Sequence, residues 1–158
     1  MKDQTCTVAF LLRGNELLLA RKKRGFGMGK WNGAGGKVEP SESLEVAMVR
    51  ECQEELTVTP TVYERVAYHD FLLDADTAQP WHQFTYTYLV HDWQGEPAET
   101  EEMAPKWFTQ NLVPYEAMWS DDIEWLPLVL AGKKLRTQFH FNHREQVIYK
   151  RIEEVAAL

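Results

Sequence analysis

The chain has 158 residues, the size of one ordinary domain, with 44% hydrophobic and 26% charged residues, so it can bury a core without disulfide or metal staples. A formal net charge of −7 excludes a general nucleic-acid or anionic-membrane binder and suits a protein that collects divalent cations. The two cysteines, Cys6 and Cys52, make no disulfide framework and read as reduced thiols of a cytosolic protein. The start MKDQTCTVAFLLRGNELLLA lacks the basic region and long apolar stretch of a signal peptide, and no segment approaches the length of a membrane span.

Residues 5–12 and 16–20 are apolar runs around Arg13-Gly14-Asn15, which predicts a hairpin. The glycine-rich stretch 25–40 predicts loop. Residues 43–56 have helical spacing, with Ser41 as N-cap after Pro40. Strands are expected over 58–71, broken at Pro60, and over 84–91. GEPAETEEMAP predicts an acidic loop, and Trp107-Phe108 a short buried strand. A second helix is expected over 116–130, interrupted around Asp121 and Pro127. RTQFHFNHREQVIYKRIEE alternates like a closing hairpin that turns near Asn142-His143. The five histidines have no metal-ligand spacing. No repeat, linker or low-complexity tract divides the chain, so residues 1–158 read as one domain of strands interleaved with two helices.

On a helical wheel of about 100° per residue, Glu51, Glu54 and Glu55 share one arc, with the small Ala47 one turn earlier leaving room above them. Val46, Val49, Cys52 and Leu56 take the other side and are expected to face the core. Like charges at i, i+3 and i+4 destabilise a helix by roughly 0.2–0.5 kcal/mol per pair unless compensated. Such a face is usually just solvated, but Mg²⁺ or Mn²⁺, which prefer oxygen ligands, would compensate it. Gly36, then five residues, Glu42, seven residues, Arg50-Glu51, two residues and Glu54-Glu55 together resemble the Nudix box of hydrolases acting on nucleoside-diphosphate-linked compounds. Thr57 stands where that box usually has glycine, at a helix end where glycine eases a left-handed cap.

The resemblance implies an α/β class and the Nudix fold, an α/β/α sandwich with a mixed central sheet and the box as loop–helix–loop. It implies Mg²⁺, with Mn²⁺ as a substitute, held by Glu51, Glu54, Glu55 and the backbone carbonyl of Gly35. An acid from a later loop often joins these ligands, and Glu102 is the candidate. Arg50 and Glu42 would hold the loop and orient the glutamates. Metal neutralises charge on a polyphosphate and acidifies bound water. Glu51, Glu54 and Glu55 all remain open as proton acceptor.

RKKRGFGMGKWNGAGGKV, MWSDDIEWLP and EEMAPKWF are similar to a narrower group, the human-type MutT homologues, which sanitise oxidised purine nucleoside triphosphates. That resemblance implies that Asn32, Asp121 and Asp122 read the purine edge, with Trp119 as a stacking wall and Phe26 and Trp125 shaping an apolar pocket. Thr7, Lys22, Gly35, Gly36 and Lys37 are the other expected substrate-side positions. Adjacent aspartates beside tryptophans repel and are partly desolvated, which raises at least one pKa and lets a carboxyl donate. Gln83 departs from the pattern, falling where the group's pocket is apolar. The function expected is hydrolysis of 8-oxo-dGTP and related purine triphosphates to monophosphate and pyrophosphate by a cytoplasmic monomer, with no nucleic-acid or membrane partner. The alternatives are a Nudix hydrolase of another nucleoside diphosphate derivative and a catalytically silent nucleotide-sensing module, against which the full set of box acids speaks.

Overall fold

Apolar alternation in the first twenty residues forms β1 (Asp3–Arg13) and β2 (Glu16–Lys22), which turn back on each other at Gly14. The computed structural model describes residues 2–158. After them come β3 (Trp31–Asn32), β4 (Ala34–Lys37), α1 (Leu44–Leu56), β5 (Thr59–Leu73), β6 (Trp81–Gln94) and β7 (Met103–Thr109). The chain ends with α2 (Asp122–Leu130), β8 (Lys134–Phe141) and β9 (Val147–Val155), and single 3₁₀ turns at Gln110–Leu112 and Tyr115–Ala117 lead into α2. The strands form one sheet in the order β3-β2-β1-β6-β5-β8-β9, with β4 added to β1 and β7 to β2. β1–β6 and β5–β8 are parallel and the other pairs antiparallel, so the sheet is mixed.

Side chains alternate across a strand, so each central strand feeds two cores. Ala9, Leu11, Tyr88 and Val90 pack with Met48, Cys52 and Leu56 of α1. Their neighbours Phe10 and Leu89, with Leu135 and Phe139, pack with Trp125, Leu126 and Val129 of α2. One helix therefore covers each face, which gives the α/β/α sandwich. Burial lifts the Cys6 thiol to about 11 and the Cys52 thiol to about 12, so both stay protonated and inert.

Several local expectations need correction. The stretch 25–40 is not all loop: β4 pairs with β1 from Cys6 to Ala9. Its Ala-Gly-Gly-Lys sequence carries no strand pattern, because close backbone approach selects the glycines. A Cβ on Gly35 would stand 1.9 Å from the Thr7 carbonyl oxygen. The helix cap is Ser43, whose Oγ accepts from Val46 N–H at 3.2 Å, and not Ser41. A turn closed by Glu42 N–H to the Glu39 carbonyl keeps the helix from starting earlier. Val46 is 55% exposed, while Met48 and Ala47 are fully buried, so the apolar stripe is rotated from the expected one. β5 runs through Pro60 by shifting register before Val62 instead of breaking. Trp107 and Phe108 are half-buried members of a seven-residue strand. They face opposite ways, Trp107 under the Arg13 guanidinium at 4.0 Å and Phe108 against Trp31 at 5.1 Å. The second helix begins only at Asp122 and continues through Pro127, whose ring faces solvent.

Thr57 occupies the helix end in the left-handed conformation, φ 63°, with its N–H on the Cys52 and Gln53 carbonyls. That geometry costs a residue with a Cβ roughly 1–2 kcal/mol. Thr57 Oγ1 offsets part of it by donating to the Glu96 carbonyl at 3.0 Å. Thr57→Val keeps the strain and loses the bond, so urea unfolding should show a loss of about 1 kcal/mol. Thr57→Gly loses the bond but releases the strain, and its midpoint should lie near that of wild type.

Candidate active site

Arg50 organises the acidic face of α1 with all its donors. Its Nε and Nη2 grip the two Glu42 oxygens at 2.6 and 2.8 Å, and Nη1 reaches Glu51 at 2.9 Å and Glu54 at 3.3 Å. Nη2 also donates to the Lys37 carbonyl at 3.1 Å, tying the helix to the end of β4. The paired guanidinium holds the Glu42 carboxyl down at about 2. Glu51 lies against Gly36, where a Cβ would stand 2.6 Å from its Oε1. A side chain at 36 would push the Glu51 carboxylate out of the place where Arg50 holds it.

Glu55 is 3% exposed. Its Oε1 accepts from Gly35 N–H at 2.7 Å and its Oε2 faces Lys22 Nζ at 3.4 Å. Burial outweighs these partners and lifts the Glu55 carboxyl to about 7. The same cause raises Glu51. Glu102 turns toward Arg24 Nε at 2.9 Å, with Lys22 Nζ 3.9 Å away, and its hydrogen bond to Arg24 lowers its pKa.

Among the described residues, no three His, Cys, Asp or Glu side chains gather closely enough to hold a metal ion. The reason lies in the cations: Arg50 draws Glu51 and Glu54, and Lys22 draws Glu55. The donor set still fits a hard divalent ion. It consists of carboxylate oxygens on one helix face, two of them desolvated and repelling, and positive charge is what relieves them.

Beside this face a cavity of about 770 Å³ runs into the sheet. Its lining includes Thr7, Lys22, Phe26, Asn32, Gly35, Gly36 and Lys37 at the β1–β4 side, and Trp119, Asp121, Asp122 and Trp125 at the α2 side. Every substrate-side residue expected from sequence thus borders one space, and Glu55 reaches it as well. Glu42, Arg50, Glu51, Glu54 and Glu102 stand outside the lining. Phe26 stacks on Trp119 at 5.2 Å, and Trp81 meets both rings edge-on at 5.5 and 5.9 Å.

Asp121 and Asp122 are 3% and 4% exposed. Asp121 sits at the start of α2 but does not cap it; its Oδ2 accepts from Trp125 Nε1 at 2.7 Å. Desolvation lifts Asp121 to about 6, and desolvation with the neighbouring Asp121 charge holds Asp122 well above the usual range. The two therefore titrate as a pair, Asp121 releasing its proton first and Asp122 holding the remaining one to higher pH. Asp122 Oδ2 and Thr7 Oγ1 are buried without a hydrogen-bond partner, an arrangement that a polar ligand would satisfy. Sequence reasoning did not single out His69, Phe71, Trp81 and Thr85, which also line the cavity. Alternation puts His69 and Phe71 on one face of β5, but no local pattern tells which face becomes the pocket.

A raised carboxyl pKa has a defined stability sign. Folded Glu55 keeps a proton that the unfolded chain releases near the ordinary 4.5, so stability falls as pH rises from there to about 7 and the penalty persists above. Without metal, Glu55→Gln should match wild type at about pH 4 and exceed it by roughly 1–3 kcal/mol at about pH 8. Denaturation at the two pH values checks this, and equal offsets at both would contradict it.

The family model described as NUDIX domain matches residues 2–129. A curated relative from Danio rerio, "Oxidized purine nucleoside triphosphate hydrolase", is 36% identical over 152 residues, covering 96% of both chains. A protein of the same description from Mus musculus is 35% identical over 150 residues, 94% of both chains. The fold is similar to the crystal structure of a MutT protein from Bacillus halodurans, with a TM-score of 0.77 and 22% identity over 95% of this chain and 97% of that one. A match that spans the glutamate helix and most of the cavity lining, with relatives of this identity along nearly the whole sequence, means that the chain belongs to the Nudix hydrolase family.

Proposed function

We propose that this Nudix hydrolase sanitises the nucleotide pool by hydrolysing oxidised purine nucleoside triphosphates, 8-oxo-dGTP and related compounds, to monophosphate and pyrophosphate. The observation that carries the reading is the buried Asp121–Asp122 pair, with an unsatisfied carboxyl oxygen, in a cavity that also reaches Glu55. The names of the near-full-length relatives support the same substrate class. One domain, acting as a cytoplasmic monomer, carries the activity.

Nudix hydrolases generally use a divalent metal. Here Mg²⁺, replaceable by Mn²⁺, would lie among Glu51, Glu54, Glu55 and the Gly35 carbonyl, with Glu102 joining from the β6–β7 loop. Bound there, the metal supplies positive charge to the phosphate chain and acidity to water. The protein's own part is positioning. The bidentate Glu42–Arg50 pair holds α1 in place while Arg50 yields Glu54, and Lys22 turns from Glu55 toward phosphate. Asn32 Oδ1 already accepts from Gly33 N–H at 2.8 Å, which leaves the side-chain amide to donate to the purine edge. A protonated Asp122 donates where an ionised carboxylate only accepts, matching a purine whose oxidation has moved a proton. Trp119, backed by Phe26, is the wall on which the base stacks.

The test is kcat/KM, read by pyrophosphate release for 8-oxo-dGTP and dGTP and by AMP release for ADP-ribose, which yields no pyrophosphate. A marked preference for 8-oxo-dGTP is expected; preference for ADP-ribose would replace this reading with hydrolysis of another diphosphate, and no metal-dependent turnover would leave a sensing module. Asp121 gives up its proton as pH rises through about 6 while Asp122, held higher by burial and the Asp121 charge, keeps the one that remains, so selectivity among purines should change between weakly acidic and neutral pH. Asp121→Asn and Asp122→Asn should flatten that dependence and lower kcat/KM for 8-oxo-dGTP by roughly 5- to 150-fold, the range for one lost buried hydrogen bond. Unchanged selectivity in both variants would place base reading elsewhere.

Glu102 is tested separately. If it joins the metal only with nucleotide present, Glu102→Gln should raise the Mg²⁺ concentration needed for half-maximal turnover. A Mg²⁺ titration that overlays wild type would return Glu102 to its role as partner of Arg24.

A further inference from the structure

His69 is fully buried in the middle of β5 and borders the cavity, yet nothing in the proposed reaction uses it. It is a polar side chain in a layer of apolar ones. Its Nδ1 lies 2.7 Å from Thr137 Oγ1, directly across on β8, and its Nε2 lies 3.0 Å from Thr87 Oγ1, diagonally placed on β6. Thr87 and Thr137 are buried as well. A neutral imidazole has one donor and one acceptor nitrogen, and a hydroxyl can play either part, so both contacts are satisfied without charge. Burial pulls the ring's pKa down to about 3, which keeps it neutral at any working pH. The ring is therefore fixed at both ends across three strands.

What it fixes is the support of the carboxylate pair. The His69 ring packs against Trp125 at 4.3 Å between centroids and lies nearly parallel to Phe71 at 5.0 Å. Trp125 meets Phe10 edge-on from another side at 6.2 Å and gives its indole N–H to Asp121. A phenyl ring at position 69 would fill the same space but could tilt or slide, because nothing would hold its edge. An indole resting on a ring free to move would let its N–H swing, and the Asp121 oxygen it holds would move with it.

We infer that His69 is a positioning residue for base recognition: tied to Thr87 and Thr137, it sets the plane of Trp125 and through it the Asp121 carboxylate that faces the substrate. The inference rests on the proposed reading of the Asp121–Asp122 pair. It makes discrimination between purines depend on a hydrogen-bonded histidine in the pocket wall that acts through Trp125 and Asp121.

A plain His69→Phe variant leaves two buried hydroxyls without partners and would confuse stability with positioning. The triple variant His69→Phe/Thr87→Val/Thr137→Val removes donor and acceptors together and should recover most of the stability lost in His69→Phe. Three readouts then apply. The Trp125 indole N–H resonance, identified by its loss in Trp125→Phe, should exchange with solvent faster in the triple variant than in wild type. The preference for 8-oxo-dGTP over dGTP should fall roughly 3- to 10-fold, the scale of one ordinary hydrogen bond, and the fall should appear in KM more than in kcat. His69→Asn with both threonines kept, able to donate and accept, should recover part of the preference. A folded triple variant with wild-type indole exchange and wild-type preference would overturn the inference and leave His69 a structural residue. Wild-type protein with no preference between the two triphosphates would instead overturn the proposed function and this inference with it. A lost preference carried entirely by kcat would also count against positioning through the binding pocket.

Discussion

Five hydrogen bonds from one guanidinium hold the catalytic half of this molecule together. Arg50 sits among Glu42, Glu51 and Glu54 and also takes the Lys37 carbonyl, so one side chain links the loop, the helix and β4. The fork geometry of arginine matters here, because Glu42 is gripped by two nitrogens at once and cannot rotate away. With α1 fixed against β4, Arg50 holds Glu51 against Gly36, and Glu55 accepts from Gly35 N–H. The crowding of carboxylates and the lack of side chains in β4 are two sides of one packing solution.

The other half depends on the period of two in the strands. β1, β5, β6 and β8 each send alternate residues to opposite helices. The face that α2 covers only in part becomes the cavity, and the residues that would have been its core become its lining. Phe71 and Phe141 serve both roles, lying in or against the α2 core and along the pocket wall. The cavity is the unfilled remainder of a close-packed layer.

Into that layer the protein places groups that ordinary packing avoids. Glu55, Asp121, Asp122 and His69 are all buried, and burial displaces the pKa of each, upward for the acids and downward for the histidine. Every one of these displacements lowers stability in some pH range. They cluster around one cavity, whereas elsewhere charges stay at the surface in pairs such as Lys150–Glu124. That distribution is expected where polar groups are retained for binding and chemistry and not for holding the fold.

The sequence by itself determined the helix that carries Glu51, Glu54 and Glu55 and most of the longer strands, because these rest on local periodicity, and its fixed spacing carried the resemblance to the Nudix box. It also marked Thr57 as an unusual helix end, since left-handed backbone is a property of a single residue. Tertiary structure decided what local patterns cannot encode. β4 exists only because β1 lies beside it, so its glycines read as loop until the Thr7 carbonyl is in view. The buried stripe of α1 runs through Met48, Cys52 and Leu56, an apolar i, i+4, i+8 row, and only packing against β1 and β6 decided that this row and not the side bearing Val46 is covered. His69 looked like any strand residue, and it faces the pocket only because Thr87 and Thr137 come from distant strands to meet it. The depth that lifts the Asp121–Asp122 pair arises in the same way: desolvation is a property of everything packed around a group, and most of that is far away in the chain.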